Sequence, residues 1–194
     1  MALKLKTAAS TKPISLALAK QQCKVEHSEE DALITLYIDA VTDLLRGPDG
    51  QARRALINEQ WELTYDAFPC EGIEIPLGPL VSVDKVEYID AITDTYVEWP
   101  ALGNYVVDLA SWKGWVAPVS AWPTAKNAMN AVRITFTAGY GTTETTVPAR
   151  LRQAMLMAIG HWYQNRETVS VGNITSNLPL GFDDLVRSVR GMKV

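Results

Sequence analysis

The chain has 194 residues, of which 47% are hydrophobic and 21% charged, and its 18 basic and 22 acidic residues give a net charge of −4. This composition excludes a disordered or low-complexity chain, and no apolar run approaches the roughly 20 residues of a membrane span. We therefore expect a soluble, unsecreted globular protein. Its two cysteines are too few for a disulfide framework.

Charge is unevenly distributed along the chain. Residues 1–27 carry five lysines and one glutamate, residues 28–108 carry 4 basic and 17 acidic groups, and residues 109–194 carry 9 basic and 4 acidic groups. An acidic middle between basic ends suits head-to-tail association of identical copies, although it also fits ordinary solvated surfaces.

Two helices are predicted near the N-terminus. The first spans residues 15–24 and begins at Ser15, and the second begins at Ser28 as N-cap, with Asp31 three residues on in a capping-box arrangement. The second helix has an apolar stripe and ends at Gly47-Pro48-Asp49-Gly50. The stripe comprises Leu33, Leu36, Tyr37, Ala40, Val41, Leu44 and Leu45.

From Ile57 onward, apolar residues alternate with polar ones, which is typical of half-buried strands. Turn signals such as Gly78-Pro79 and Trp122-Pro123 separate the runs, and no helical pattern intervenes. We expect an antiparallel sheet or a small barrel-like segment. Its strands are predicted at 57–66, 73–75, 81–89, 95–99, 105–109, 115–117 and 132–138.

The helical period returns after Gly139-Tyr140-Gly141. Pro148 stands in the first turn of a long helix, and a short amphipathic segment, Phe182 to Val189, ends the pattern. The apolar stripe of the long helix comprises Leu151, Ala154, Met155, Ala158, Ile159, Trp162 and Tyr163.

This order of elements predicts an α+β fold. The N-terminal helices, residues 1–56, and the long C-terminal helix and tail, residues 142–194, form a small bundle, and residues 57–141 form a β region inserted between them.

Residues suited to catalysis are scarce, since the chain has two histidines and two cysteines. Cys23 and His27 lack the further ligands that a zinc site needs. His161 is interpreted as a helix-side histidine with a local hydrogen bond rather than a general base. Gly139-Tyr140-Gly141 lacks the lysine and third glycine of phosphate-binding loops. We therefore expect no catalytic residue, metal or cofactor.

Tryptophan is abundant in the predicted β region. Aromatic residues that stack on nucleic acid are interleaved with lysine and arginine, whereas this region is acidic. Packing in a core or an interface is therefore favoured. The five tryptophans concerned are Trp61, Trp99, Trp112, Trp115 and Trp122.

Several stretches, in order from about residue 14 to residue 187, resemble the head-tail connector (adaptor) proteins of tailed bacteriophages and gene transfer agents. The insertion Gly47–Ala52 departs from the family pattern. The matching stretches are Val25-Glu26-His27-Ser28-Glu29-Glu30-Asp31-Ala32-Leu33-Ile34, Arg54-Ala55-Leu56-Ile57, Gln60-Trp61-Glu62-Leu63, Phe68-Pro69, Ala138-Gly139-Tyr140-Gly141, Val147-Pro148, His161-Trp162-Tyr163-Gln164-Asn165-Arg166-Glu167 and Leu178-Pro179-Leu180-Gly181.

The resemblance implies a structural protein of the virion, assembled in the bacterial host cytoplasm, with no enzymatic activity. It implies that twelve copies form a ring beneath the portal protein, extend the DNA channel and offer a platform to the tail or to its completion protein. DNA would pass through the channel without tight binding, because an acidic wall makes few phosphate contacts. No membrane is involved.

The portal contact is predicted in the C-terminal segment, residues 182–194, where basic residues face an acidic partner beside an apolar side. A terminal helix folded back on the bundle is the alternative. The predicted contact residues are Phe182, Leu185, Arg187, Val189, Arg190 and Lys193. A structural role at the exit of the long helix is predicted for His161, Trp162, Tyr163, Asn165, Arg166 and Glu167.

Two other functions remain open from the sequence. A tail completion or terminator protein also forms rings. A small tryptophan-rich ligand-binding or hydrolase module belongs to a different class, and only the tryptophans of the β region suggest it.

Overall fold

A computed structural model describes residues 1–111, 113–166 and 181–190 of the chain. Within these residues it contains four α-helices and eight strands, and all the strand pairs are antiparallel, so the predicted α+β class is confirmed. The helices are α1 (Leu16–Cys23), α2 (Asp31–Leu45), α3 (Ala149–Gln164) and α4 (Phe182–Arg187). The strands are β1 (Ala2–Thr7), β2 (Glu59–Tyr65), β3 (Ile73–Ile75), β4 (Leu80–Ile89), β5 (Tyr96–Glu98), β6 (Tyr105–Asp108), β7 (Gly114–Pro118) and β8 (Val132–Ala138).

The chain divides into two compact units. The first, which we call the β unit, comprises Met1–Ala9 and Asn58–Tyr140. The second, the helical unit, comprises Ser10–Ile57 and the described residues of Gly141–Lys193.

The β unit contains a five-stranded sheet in the order β1-β2-β8-β4-β5 and a three-stranded sheet in the order β3-β7-β6. Trp61 lies opposite Phe136 and Leu63 opposite Ile134 in the β2–β8 pair, and all four side chains are buried. Since side chains alternate between the two faces of a strand, this register puts one face of the large sheet into the core. All seven predicted strands are present.

Two features of the β unit differ from the prediction. Both sheets, as far as the structure describes them, are open and end in edge strands, so the barrel-like alternative is not observed. Residues 2–7, which the sequence analysis placed with the N-terminal helices, form β1 and pair with β2. The alternation of Leu3 and Leu5 with Lys4 and Lys6 is the strand signal that the prediction overlooked.

The helical unit is organised around α3, which contacts α1, α2 and α4. As predicted, Ser15 caps α1, and its Oγ accepts a hydrogen bond from the Leu18 N–H at 3.4 Å. Pro148 directly precedes α3. The middle of α3 is buried on several sides, including at Leu156 and Gly160, which lie outside the predicted stripe.

The prediction for α2 was wrong in two respects. Glu30, not Ser28, occupies the N-cap position and makes no side-chain cap bond. The buried face is also rotated relative to the predicted stripe: Val41 and Leu45 are buried as predicted, but Leu36 is 61% exposed. Because α2 has apolar residues around most of its circumference, periodicity alone could not select the buried face. The residues that are buried are Ile34, Ile38, Val41 and Leu45.

The insertion after α2 forms the C-terminal cap of that helix. Gln51 N–H donates to Leu44 O at 2.8 Å and Ala52 N–H to Leu45 O at 3.2 Å, which satisfies carbonyls at the helix end. A Cβ added at Gly50 would lie 2.2 Å from Arg46 O, so this position requires glycine.

Candidate functional site

The end of α3 is tied to the start of α2 through Glu30. Tyr163 Oη donates a hydrogen bond to Glu30 Oε2, and Arg166 Nη2 lies 2.6 Å from Glu30 Oε1. The Arg166 guanidinium also lies over the Tyr163 ring, 4.7 Å from its centroid. One carboxylate therefore joins two helices through a phenol and a guanidinium.

These contacts set the electrostatics of the cluster. The hydrogen bond from Tyr163, followed by that from Arg166, holds the pKa of Glu30 below its usual value. The same bond to Glu30 raises the pKa of Tyr163. The cluster is therefore most stable when Glu30 is ionised and Tyr163 is neutral.

Asn165 closes the C-terminal turn of α3. Both its backbone N–H and its Nδ2 donate to His161 O, at 3.0 and 2.9 Å. Arg166 Nε donates to Tyr163 O at 3.4 Å, and Trp162 packs against Tyr37 of α2 with ring centroids 6.2 Å apart. The structure thus places the predicted residues of this motif at one helix end, except Glu167, which lies outside the described residues.

The C-terminal segment is only partly available as a contact surface. Phe182 is fully buried and Val186 is 4% exposed, and α4 contacts α3. Phe182 belongs to the core of the helical unit, so its predicted place in the portal contact is not supported. Leu185 and Val189 are half-buried, whereas Arg187 and Arg190 are exposed. Lys193 lies outside the described residues.

Arg54 fixes the segment after α4 and is not among the predicted site residues. It is 4% exposed, and its Nε donates to Val189 O at 3.3 Å. Because a buried arginine is uncommon and demands partners, it marks a fixed point in the packing. Its only sequence signal was its place in the Arg54-Ala55-Leu56-Ile57 stretch.

Among the described residues, no group of three or more His, Cys, Asp or Glu side chains could hold a metal ion. Cys23 and Cys70 are free thiols, and burial, with the nearby Glu30, raises the pKa of Cys23. A raised pKa disfavours the reactive thiolate. None of the helices described is long and apolar enough to cross a membrane.

A cavity of about 300 Å³ lies in the β unit. Arg133 lies 3.9 Å from the centroid of the Tyr96 ring, and its Nε is 3.5 Å from Glu62 Oε2. Lys4 also lines the space. Arg133 and Glu62 therefore face one another across part of this space.

Aromatic side chains pack against one another in the same unit. The rings of Phe68 and Trp122 are stacked with centroids 4.6 Å apart, and Trp99 lies 5.2 Å from Trp122 and 5.4 Å from Tyr105. This agrees with the predicted packing role of Trp99 and Trp122. Trp112 lies outside the described residues.

Residues 123–190 match the family model of the phage gp6-like head-tail connector protein. This match confirms the resemblance to head-tail connectors. It covers β8, α3 and α4, and therefore both the end of α3 and the C-terminal segment. No curated protein matches the chain.

Solved structures of similar fold come from gene transfer agent (GTA) particles. A chain from the neck of an empty GTA particle, computed with C6 symmetry, has 23% identity and a TM-score of 0.78. A chain from the virion of a native GTA particle has 21% identity and a TM-score of 0.79, and one from a native neck, computed with C12 symmetry, has 20% and 0.70. Each comparison covers 100% of this chain and 97% of the other. At these identities the comparison establishes the fold.

Proposed function

We propose that the protein is a structural head-tail connector of a tailed phage, prophage or gene transfer agent, located in the virion where head meets tail. The observation that carries this proposal is the connector family match over residues 123–190. The fold likeness to neck chains, which extends over the whole chain, supports it.

The connector acts as a ring, for which we propose twelve copies. Neck particles with C6 and C12 symmetry contain chains of this fold, and twelve is compatible with both symmetries. A closed ring needs a heterologous interface, in which two different surfaces of one copy meet the neighbours on either side.

DNA passes through this ring without tight binding. The β unit carries eleven acidic and six basic residues, whereas the helical unit, over its full sequence range, carries eleven acidic and twelve basic residues. An acidic surface repels phosphates and so favours sliding over retention. The β unit is therefore the better candidate for the channel side.

The portal contact involves the exposed basic side chains of the C-terminal segment, Arg187 and Arg190, which face an acidic surface of the portal. Half-buried Leu185 and Val189 lie beside them. Phe182 holds α4 in place and does not touch the partner, because it is fully buried.

A charge-reversal variant tests this contact more sharply than a truncation, because removing α4 would also remove Phe182 from the core. Arg187→Glu/Arg190→Glu is expected to weaken binding to the cognate portal ring by on the order of a hundredfold, measured by biolayer interferometry. The control, Lys12→Glu/Lys24→Glu, makes the same change in net charge elsewhere in the helical unit. Equal binding by the two variants would contradict the portal contact.

The connector role itself is tested in particles. Capsids that lack the protein should fail to acquire tails, and added protein should restore joining. Protein recovered with tails but never with the portal would favour the tail completion or terminator alternative. Saturable binding of a small ligand by a chain that never joins particles would favour the tryptophan-rich module.

A further inference from the structure

The two edges of the five-stranded sheet differ in charge. The sheet begins with β1 and ends with β5, and neither strand has a second partner among the described residues. An unpaired edge presents free N–H and C=O groups that can accept another strand. The two edges are therefore complementary in hydrogen bonding whatever their side chains are.

The β1 edge is basic. Lys4 and Lys6 are both exposed, while Leu3 and Leu5, which alternate with them, are half-buried and pair with Leu63 and Trp61 of β2. Lys6 also reaches Thr135 Oγ1 at 3.2 Å. The register with β2 shifts between Leu5 and Thr7, so the regular pairing with β2 ends at Leu5.

The β5 edge is acidic. All three of its residues are exposed, and the side chain of Glu98 is 57% exposed even though it lies near Lys85. Asp94, just before the strand, has a side chain that is 67% exposed, although Lys126 Nζ lies 2.5 Å from its Oδ1. Backbone bonds between Asp90 and Thr95 and between Trp99 and Val86 keep the segment extended beyond the strand itself.

We propose that β1 of one copy adds to the free edge of β5 in the next copy, so that the large sheets join into a continuous belt. This inference rests on the proposed ring. The first and fifth strands of an antiparallel sheet run in the same direction, so the pair formed between copies related by rotation is parallel.

The charges of the two edges favour the β1–β5 contact over a β1–β1 or a β5–β5 contact. A β1–β1 pair would place the lysines of two copies together, and a β5–β5 pair would do the same with Glu98, so both isologous contacts are repulsive. Only the β1–β5 contact brings opposite charges together. Such a heterologous contact propagates from copy to copy, as ring closure requires.

Two charge-reversal variants of the full chain test the contact. Lys4→Glu/Lys6→Glu makes both edges acidic, and Thr95→Lys/Glu98→Lys makes both edges basic. Each variant alone should lose self-association by on the order of a hundredfold, measured by sedimentation velocity over a concentration series. An equimolar mixture of the two should associate again, because each edge then meets its complement on the other variant.

The control Lys12→Glu/Lys24→Glu changes the net charge by the same amount as Lys4→Glu/Lys6→Glu and should associate like the wild type. Zero-length carbodiimide cross-linking, read by mass spectrometry, should join Lys4 of one copy to Glu98 of another. Circular dichroism and thermal melting show whether each variant is folded. Wild-type association that survives both reversals, a mixture that does not recover, or a wild-type chain with neither self-association nor this cross-link would overturn the proposal.

These outcomes separate the strand contact from the connector role. If both reversal variants still form the wild-type oligomer and still join heads to tails, the strand contact is wrong and the connector role stands. If the wild-type chain neither oligomerises nor joins particles, both proposals fail.

Discussion

The two units differ in how many large apolar side chains they expose. Ten of the eleven large apolar side chains that are exposed within the described residues belong to the β unit, and Leu36 of α2 is the exception. The helical unit is instead closed around α3, whose middle turns are buried on several sides.

This difference indicates that the two units have different roles in assembly. Exposed apolar residues cost solubility unless a partner covers them, and they concentrate at sites of protein contact. The β unit, with its free edges and exposed residues such as Leu102 and Val106, is suited to lateral contacts. The helical unit is suited to hold a fixed shape.

The largest expected effect would come from opening the helical core. Phe182→Ala should lower the free energy of unfolding by about 3–5 kcal/mol, because it leaves a cavity at a fully buried site. Leu102→Ala, at a side chain that is 95% exposed, should change it by less than about 0.5 kcal/mol. Urea denaturation of both variants measures the contrast. Equal effects would contradict the division between a closed and an open unit.

The next largest effect is the difference in stability between alanine substitutions at two glycines, Gly50 and Gly103. Gly50→Ala should destabilise by about 1–3 kcal/mol or more, since the added Cβ would meet the carbonyls of Leu45 and Arg46. Gly103 has a φ of +76° but nothing within 4 Å of its Cβ position, so Gly103→Ala should cost only about 1 kcal/mol of backbone strain. Thermal melting of the pair measures the difference, and a costlier Gly103 variant would contradict it.

A third effect concerns the anchoring of α4. Arg54→Met should destabilise by about 1–3 kcal/mol, because it removes the donor to the Val189 carbonyl from a buried site. Hydrogen exchange should show α4 losing protection while the β unit keeps its own. Arg187→Met, at an exposed position of α4, is the control. Unchanged exchange in α4 would show that its apolar contacts alone hold it.

The smallest effect is the pH dependence of the Glu30 cluster. Because the folded-state pKa of Glu30 is lowered, its contribution is present above its unfolded pKa and is lost as the pH falls through the folded value. The pKa of Tyr163 is raised, so its contribution is present below its unfolded pKa and is lost as the pH rises through the folded value. Glu30→Gln should remove this loss of stability at low pH, as measured by the free energy of unfolding at a series of pH values. If the stability of the variant falls at low pH as much as that of the wild type, the loss comes from other groups.

The β unit could be predicted closely from the sequence because its strands follow a simple rule. A period of two puts alternate residues on opposite faces, and turn residues mark the ends. The prediction therefore located β2 and β8 to within two residues. It missed β1 because residues 1–56 were assigned to the N-terminal helices, although Leu3 and Leu5 alternate with Lys4 and Lys6 as the two faces of a strand do.

The helical unit shows why part of the site could not be predicted. Leu33 and Leu36 looked as suitable for burial as Ile34 and Ile38, and α3 and its neighbours decided between them. Arg54 and Val189 are 135 residues apart in the sequence, so their hydrogen bond has no local signal. The link from Glu30 to Tyr163 and Arg166 is long-range in the same way.

The sequence by itself determined the α+β class, the order of the strands and helices after β1, and the uneven distribution of charge, because period, turn residues and composition are local properties. Only the tertiary structure decided which face of α2 is buried, which residues anchor α4, and that the basic β1 and the acidic β5 form opposite edges of one sheet. These features depend on contacts between distant parts of the chain, and such contacts arise only when packing selects one arrangement among those that the local pattern permits.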